Sequence, residues 1–396
     1  MKILFLTTEY PYPSDTGGKI RTLQILKLLS KNHKIHLVCF GEIIKMKGRK
    51  ALDEYIQKKK IFNKKINSNN NLLQTLKKIL FSFFSDKPYR ISKFYSLEVD
   101  IYLRKIIAKE KFEIIVVDQL PMAQYSNFFK KTTKKFLSQH NLESELTHNL
   151  FINEKNYFKK FLFLNEYHKI RKFENNKLKL FDEIITISNA DKEKLKLSYP
   201  QKKIRTLPVF FNSKKYFLKD MNIKKYDLIF VGLLSWRPND DGILWFCEEV
   251  LPKIKKLKPE IALCIVGGFP SNKLIKISKM NSKIKLTGYV ENVDNYLKQS
   301  KIFVNPIRII GGGVRIKVLK ALSSGLPIVS TSTGVRGLGL QNNNNILIND
   351  NADGFAKNVI NLLENEDYYN RICYGGGKYY ENYLEKYSQV VKKFKL

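Results

Sequence analysis

Short apolar runs alternate with longer amphipathic runs along almost the whole chain. Short apolar runs are typical of buried parallel strands, and the longer runs repeat apolar residues at helical spacing. This alternation predicts an α/β protein with parallel sheets. The strands predicted in the first half lie at 2–7, 35–40, 113–118, 135–139, 183–188 and 204–208. Those predicted in the second half lie at 227–231, 261–266, 284–286, 302–305, 328–331 and 346–348.

The chain of 396 residues is longer than a single hydrophobic core usually supports, so two domains are expected. Each set of predicted strands is sufficient for one doubly wound, Rossmann-like domain. A polar stretch at 210–225 predicts the connection between the domains. We therefore predict an N-terminal domain over 1–212, a C-terminal domain over 213–378 and a last helix over 379–396.

Composition narrows the class of protein. Hydrophobic residues make up 43% of the chain, which excludes a disordered protein, and no apolar run is long enough to span a bilayer. The first residues are expected to form a strand rather than a signal peptide. The four cysteines lack metal-ligand spacing, so reduced thiols and a cytoplasmic location are expected.

The charge is strongly positive, with 71 Lys and Arg against 36 Asp and Glu and a formal net charge of +35. Such a charge favours an anionic partner, which could be nucleic acid or the anionic inner face of a membrane. It is also typical of a Lys-, Ile- and Asn-rich composition without any function. Nucleic acid is disfavoured, because the lysines are spread over the chain and no nucleic-acid motif is present. The other two interpretations stay open.

One segment bears on the membrane interpretation. Residues 59–71 are rich in Lys and Asn and are predicted to form an exposed loop. Residues 72–84 that follow predict a basic amphipathic helix. This helix would either pack on its own domain or rest on a membrane as a peripheral contact.

The run at 307–331 carries the most chemistry. Gly311, Gly312 and Gly313 follow an apolar strand and precede a helix that carries Arg315 and Lys317. Glycines let backbone N–H groups approach an anion, and a helix N-terminus adds partial positive charge. The pattern predicts a site for a phosphorylated ligand at the edge of a parallel sheet.

Similar strand–loop–helix units occur earlier in the chain. Gly17 and Gly18 follow the first predicted strand, where they would either approach a diphosphate or close an ordinary loop. Their spacing is neither the dinucleotide-binding fingerprint nor a P-loop, which disfavours oxidoreductases and nucleotidases. Arg237 follows the strand at 227–231, and a guanidinium group binds phosphate through two hydrogen bonds.

His140, Asn141 and Glu143 follow the strand at 135–139. A histidine at the carboxyl end of a strand faces the ligand-binding edge of the sheet, where it would contact a sugar hydroxyl or a leaving phosphate. A structural role is the alternative for a single histidine. No group of His, Cys, Asp and Glu has the spacing of metal ligands, so no metal is expected.

The order and spacing of these motifs resemble the family 4 type of retaining glycosyltransferases, in a branch with three consecutive glycines. The matching pieces lie at 11–21, 140–143, 181–188, 231–239, 266–268 and 311–319. The resemblance implies the α/β fold called GT-B, in which two doubly wound Rossmann-like domains face a central cleft. It implies that the C-terminal domain holds a nucleotide-sugar donor and that the N-terminal domain holds a glycan or polyprenyl-phosphate-linked acceptor. It further implies retention of configuration, no cofactor or obligatory metal, and a last helix that returns to the first domain.

The matching pieces give the predicted site. The residues predicted to bind the donor are Gly17, Gly18, Arg21, Asn239, Gly311, Gly312, Gly313 and Lys320. The residues predicted to be catalytic are His140, Arg237, Arg315 and Lys317, with Asn141 and Glu143 on the acceptor side. In this hypothesis the cations stabilise the departing diphosphate, whose oxygen takes the proton of the acceptor hydroxyl on the same face of the sugar.

Two positions depart from the family. Many members carry two glutamates separated by seven residues, and Gly312 and Lys320 occupy those positions here. In the family the second glutamate accepts hydrogen bonds from the ribose hydroxyls, and an ammonium group, which only donates, cannot do so. The ribose is then held by another group, or the donor site is weakened, or the protein no longer transfers sugar.

The function that we predict is a cytoplasmic glycosyltransferase of cell-surface polysaccharide biosynthesis, with a peripheral contact to the inner membrane face as a further expectation. The alternative is a non-catalytic GT-B protein that binds an anionic glycan or partner, and a nucleic-acid-binding protein is less favoured.

Overall fold

The computed structural model describes residues 1–14, 16–41, 52–63, 85–211, 224–309 and 316–393. The chain divides into two compact units, Met1–Val209 and Phe210–Lys395. The division falls close to the predicted boundary at 212.

The first unit is built on a parallel sheet of seven strands in the order β3-β2-β1-β4-β5-β6-β7. The strands are β1 (Lys2–Thr7), β2 (Lys34–Gly41), β3 (Lys58–Asn63), β4 (Ile114–Asp118), β5 (Lys134–Ser138), β6 (Glu183–Thr186) and β7 (Lys203–Thr206). The central strand β4 is buried at every position, as expected for a parallel strand that is covered by helices on both faces.

The helices of the first unit connect these strands. They are α1 (Gly17–Ser30), α2 (Tyr89–Ser92), α3 (Leu97–Lys109), α4 (Glu143–Ile152), α5 (Tyr157–Leu178) and α6 (Asn189–Ser198), with a 3₁₀ helix at Leu120–Phe128. Side-chain hydrogen bonds cap the N-termini of α1 and α6. The side chain of Thr16 accepts from the backbone N–H of Lys19, and that of Ser188 accepts from the N–H of Asp191.

The second unit is built on a parallel sheet of six strands in the order β10-β9-β8-β11-β12-β13. The strands are β8 (Tyr226–Val231), β9 (Leu263–Val266), β10 (Ile284–Leu286), β11 (Ser300–Asn305), β12 (Ile328–Ser330) and β13 (Leu347–Ile348). One apolar layer includes Phe230, Phe246 and Phe355, and another includes Phe303 and Tyr380. Both faces of this sheet are therefore covered.

The helices of the second unit include one short π-helical turn at Phe246–Val250. The others are α7 (Arg237–Trp245), α8 (Leu251–Leu257), α9 (Asn272–Lys279), α10 (Asp294–Lys298), α11 (Ile316–Ser323), α12 (Ser332–Val335), α13 (Ala352–Glu364) and α14 (Glu366–Lys393). Residue 379, the predicted start of the last helix, lies inside α14. The return of this helix to the first domain stays a prediction. None of the described helices is both long and apolar enough to cross a membrane.

The predicted strands are all present, with ends that differ from the prediction by at most two residues. The prediction of an exposed loop from residue 59 was wrong for 59–63, which belong to β3. The rest of that loop and the predicted helix at 72–84 lie outside the described residues. The lysines of β3 conceal the strand in the sequence, because only Ile61 and Phe62 are buried along this edge of the sheet.

Each sheet reverses its direction of winding once. In the first sheet this happens between β1 and β4, and in the second between β8 and β11. Open parallel sheets bind ligands outside the carboxyl ends of the strands at such switch points. Each unit therefore has one place where chemistry is expected.

Candidate functional site

In the first unit, a buried carboxylate occupies the switch point. Asp118 ends β4, and it lies opposite Thr7 of β1 and Ser138 of β5 in the strand register. Its Oδ2 accepts hydrogen bonds from the Thr7 hydroxyl at 3.1 Å and from the Thr22 hydroxyl of α1 at 2.5 Å. Its Oδ1 lies 2.8 Å from Nε2 of His140, which is itself almost fully buried. Asp118 thus joins three elements around His140.

This environment keeps Asp118 ionised. Burial alone would raise the pKa of its carboxyl, but attraction to His140 and the hydrogen bonds from His140 and Thr22 outweigh burial, so the pKa lies below its ordinary value. Because an ionised carboxylate only accepts, Nε2 of His140 carries the proton that is donated to Asp118. In a neutral imidazole, Nδ1 is then left as an acceptor.

Nδ1 of His140 faces the backbone of Gly18, the second residue of α1. A Cβ atom added at Gly18 would lie 3.7 Å from this nitrogen, 3.6 Å from Oε1 of Glu9 and 3.7 Å from Nε2 of Gln119. The Gln119 side chain is held by the Thr8 hydroxyl, which donates to Oε1 at 2.9 Å. Three polar side chains therefore converge on the space beside this glycine.

The remaining predicted residues of the first unit lie as follows. Gly17 is the first residue of α1. Arg21 is fully buried, and its Nη1 donates to the carbonyl oxygen of Pro208 at 3.5 Å. Glu143 begins α4 and accepts from Nη2 of Arg90 at 3.1 Å, while Asn141 is half-buried just before it. The donor-binding role of Arg21 and the acceptor-side roles of Asn141 and Glu143 stay predictions.

Sequence reasoning missed Asp118, Thr22 and Gln119. A carboxylate at the end of the run Ile-Ile-Val-Val-Asp could have indicated Asp118, since a charge seldom ends a buried strand without a partner. Gln119 adopts a positive φ of 75°, a left-handed conformation that is uncommon outside glycine and clusters at functional sites. Its conformation has no signal in the sequence.

In the second unit, Arg237 and Asn239 lie in the first turn of α7, and Lys317 contacts this turn through Asn239. Arg237 is the first residue of this helix. Asn239 donates from Nδ2 to the carbonyl oxygen of Leu233 at 2.8 Å and accepts at Oδ1 from Nζ of Lys317 at 2.7 Å. The Lys317 ammonium group also lies 4.5 Å from the centroid of the Phe230 ring. Lys317 of α11 is thereby held against the N-terminal turn of α7.

Two glycines make this arrangement possible. A Cβ atom at Gly232, just after β8, would lie 2.7 Å from Nδ2 of Asn239. A Cβ atom at Gly267, just after β9, would lie 1.9 Å from the carbonyl oxygen of Gly232. Both distances are too short for any side chain. These glycines are therefore required by the close approach of the loops that follow β8 and β9.

The predicted cation cluster is only partly described. Arg237 begins α7 and Lys317 contacts Asn239 in the same turn, whereas Arg315 and the glycines Gly311, Gly312 and Gly313 lie outside the described residues. Nζ of Lys320 lies 2.5 Å from Oδ1 of Asp294, the first residue of α10, and 4.9 Å from the centroid of the Phe211 ring. Lys320 therefore stands beside a carboxylate, and its role in donor binding stays a prediction.

The described part of the chain contains no group of three or more His, Cys, Asp or Glu residues that could hold a metal ion. The arrangement that is present can do two things chemically. The first unit offers an oriented imidazole next to other hydrogen-bonding groups, and the second offers cations at the N-terminus of a helix, where anions bind favourably.

Comparisons with known proteins find similarity both in the second unit and over the whole chain. Residues 225–365 match the family described as Glycosyl transferases group 1. A protein of Klebsiella pneumoniae, described as an uncharacterized 44.6 kDa protein in the cps region, is 28% identical over 413 residues, which cover 99% of both chains. The family match lies within the unit that contains Arg237, Asn239 and Lys317.

Solved structures of low sequence identity show the same fold. Sucrose-phosphate synthase of Thermosynechococcus elongatus has a TM-score of 0.66 at 13% identity, covering 99% of this chain and 96% of its own. HepE of Anabaena, in complex with UDP and glucose, has a TM-score of 0.65 at 11% identity, covering 99% of both chains. A mutant of S. aureus TarM, in complex with Fondaparinux, alpha-GlcNAc-glycerol and UDP, has a TM-score of 0.66 at 15% identity, covering 99% of this chain and 98% of its own. The protein has two Rossmann-like domains and the GT-B fold, and the matches support a glycosyltransferase.

Proposed function

We propose that this protein transfers a sugar from a nucleotide-sugar donor to a glycan or polyprenyl-phosphate-linked acceptor, with retention of configuration. The observation that carries the proposal is that the unit matching Glycosyl transferases group 1 also places Lys317 and Asn239 at its switch point. The presence of UDP in the HepE and TarM structures supports a nucleoside diphosphate as part of the donor.

The second unit would hold the diphosphate. In the proposal Arg237, Arg315 and Lys317 contact its oxygens, and the first turn of α7 contributes its partial positive charge. Asn239 keeps the Lys317 ammonium group near this turn, so the cation needs little reorganisation when the bond to the sugar breaks. We expect no metal to be required, because these groups supply the positive charge.

The first unit would act on the sugar. Cleavage of the sugar–phosphate bond leaves a diphosphate anion and an oxocarbenium-like sugar, and the departing oxygen takes the proton of the acceptor hydroxyl on the same face. We assign His140 a hydrogen bond from a hydroxyl of the donor sugar to Nδ1, with Asp118 fixing the tautomer through Nε2. Asn141 and Glu143 are assigned to the acceptor.

The ribose needs a different acceptor from the usual glutamate, since Lys320 only donates. A carboxylate is nevertheless present beside this position, because Asp294 lies within 2.5 Å of the Lys320 ammonium group. We assign Asp294 the role of accepting from the ribose hydroxyls, with Lys320 orienting it.

The biological setting that we propose is cell-surface polysaccharide biosynthesis in the cytoplasm. The description of the Klebsiella pneumoniae relative as a protein in the cps region supports the polysaccharide part of this setting.

A non-catalytic GT-B protein is the second candidate, and it is favoured because Gly312 and Lys320 stand where many family members have glutamates.

A thermal-shift screen of nucleoside diphosphates and their sugar derivatives, with UDP first, tests the proposed sugar transfer. A ligand present at about 100 times its dissociation constant stabilises by about 2.7 kcal/mol, which raises Tm measurably. Release of diphosphate upon adding acceptor would then identify an enzyme. If no nucleotide raises Tm, the donor site does not exist, and if one does without any turnover, the protein only binds.

A further inference from the structure

The connection between α4 and α5 exposes an unusual concentration of apolar side chains. Ile152, Tyr157, Phe158 and Phe161 are 54%, 90%, 59% and 58% exposed, and they lie within ten residues of one another in the chain. Single exposed apolar residues are ordinary, but a contiguous group indicates an interaction surface. We call these four residues the hairpin tip.

The hairpin tip is an ordered part of the fold. Glu154 is buried, and its Oε1 accepts from the backbone N–H groups of Lys155 and Asn156, each at 3.1 Å. The side chain of Asn156 in turn caps α5 by accepting from the N–H of Lys159 at 3.0 Å. At 100° per residue, Tyr157, Phe158 and Phe161 fall within an arc of about 100° on the helix. The aromatic rings therefore share one face.

The exposed charges beside this face are positive, because the one acidic group near this helix start, that of Glu154, is buried. Negative side chains are favourable in the first turn of a helix, yet α5 has no acidic residue there. Lys155 and Lys159 are exposed, and the ammonium group of half-buried Lys160 lies 5.3 Å from the centroid of the Phe151 ring. An anion outside the protein would offset this unfavourable placement of positive charge.

We propose that the hairpin tip docks on an anionic lipid bilayer. Aromatic residues are enriched at the boundary between lipid and water, and lysines beside them can extend their ammonium groups to lipid phosphates. A second copy of the chain fits less well, because it would bring lysines against lysines in a molecule of net charge +35. The surface is distinct from the predicted helix at 72–84. The membrane-docking proposal is independent of the proposed sugar transfer, since vesicle binding is measured without a sugar donor.

Sedimentation with vesicles tests the proposal on the full-length chain. Vesicles with about one third phosphatidylglycerol should bind the protein, while pure phosphatidylcholine should bind it much more weakly. Replacing Tyr157, Phe158 and Phe161 by Ser should lower the partition coefficient at least about tenfold. Lys155→Gln with Lys159→Gln should instead reduce the preference for phosphatidylglycerol.

A matched control replaces two other exposed apolar side chains on helices, Leu197→Ser and Tyr374→Ser, which are 87% and 67% exposed. This variant should bind vesicles like the wild type. A gain of signal complements the losses: Phe158→Trp should show a blue shift of tryptophan emission upon adding vesicles, after subtraction of the wild-type spectrum.

Three outcomes of the vesicle experiments would overturn the proposal. They are wild-type protein that does not bind the anionic vesicles, a Ser variant that binds like the wild type, and a control that loses binding equally. Sedimentation velocity tests whether a second copy of the chain binds this surface instead. A dimer that the Ser substitutions dissociate would assign the surface to self-association and contradict the proposal. Since the replaced side chains are exposed, Tm should change by no more than about 6 °C, because each surface substitution contributes about ±0.5 kcal/mol and 1 kcal/mol shifts Tm by about 2–4 °C.

Discussion

The two switch points of this molecule are built from different chemistry. In the first unit a buried carboxylate, two hydroxyls and an imidazole form a network whose hydrogen atoms are fixed by Asp118. In the second unit, close-packed glycines and an amide hold an ammonium group at a helix start. The first arrangement suits the orientation of hydroxyl groups and protons, whereas the second suits the binding of an anion. The same topology therefore carries a different set of polar groups in each unit.

The largest effect is expected for Lys317→Ala. In the proposed mechanism Lys317 faces the leaving group, so its loss should lower kcat by about a thousandfold. A steady-state transfer assay measures it. The matched control is Lys279→Ala, an exposed lysine of the same unit. A kcat within about threefold of the wild type would remove Lys317 from the proposed mechanism.

The counterpart in the first unit is Asp118→Asn, with an expected loss of about a hundredfold in kcat. The amide would donate to Nε2 of His140, so the proton would move to Nδ1, which then could no longer accept from a sugar hydroxyl. Nitrogen NMR of the imidazole reports the tautomer directly. Thr22→Val is the control, since it leaves the bond between His140 and Asp118 in place. If the tautomer changes without loss of turnover, His140 does not serve as an acceptor.

The strands and the site residues of the two units differ in how far they can be predicted from the sequence. The strands could be placed because parallel strands are apolar along their whole length, as in β1 and β4. The lysine-rich β3 could not, since an edge strand needs few apolar positions. Among the predicted site residues, Arg237, Asn239 and Lys317 could be selected from the sequence because glycines and cations after a strand form a local pattern.

Asp118 shows why the rest could not be predicted. Its partners Thr22 and His140 lie 96 and 22 residues away in the chain. Their meeting depends on the strand order, which places β1 beside β4 and β4 beside β5. The contact between Lys320 and Asp294 depends likewise on how α10 and α11 pack. Chemistry that arises from long-range pairing has no local signature.

Effects of pH should fall on the first unit. Glu174 of α5 is buried, and burial together with nearby Glu143, against the hydrogen bond from Ser144, raises its pKa to about 7. An unfolded glutamate titrates near 4.3, so between about pH 4.3 and this value the folded state binds more protons and stability falls as pH rises.

Glu174→Gln removes this dependence. The Tm of this variant relative to the wild type should increase from about pH 4.5 and level off about one unit above pH 7. The total change should correspond to about 3 kcal/mol, at about 1.36 kcal/mol per pKa unit. Glu291→Gln, at an exposed position of the second unit, should show no such trend. Parallel Tm profiles for Glu174→Gln and the wild type would mean that Glu174 is ionised like an ordinary surface glutamate.

A smaller effect is expected for Gly18→Ala, which tests whether a substrate enters the space beside this residue. Ala fits there at ordinary contact distances of 3.6 to 3.7 Å, and within α1 it favours the helix, so Tm should stay the same or rise. The methyl group would nevertheless occupy the space that His140, Glu9 and Gln119 face. We expect kcat/KM to fall about tenfold, and full activity would show that no substrate enters this space.

The smallest effect concerns the ribose in the second unit. If Asp294 accepts from the ribose hydroxyls, Asp294→Asn should raise the donor KM about fivefold and leave kcat nearly unchanged, because the contact is the same in the ground and transition states. Asp294→Glu should recover part of the affinity. The 2′-deoxy donor sharpens the test, since the variant should no longer discriminate against it. If the variant and the wild type show the same ratio of kcat/KM for the two donors, Asp294 does not contact the ribose.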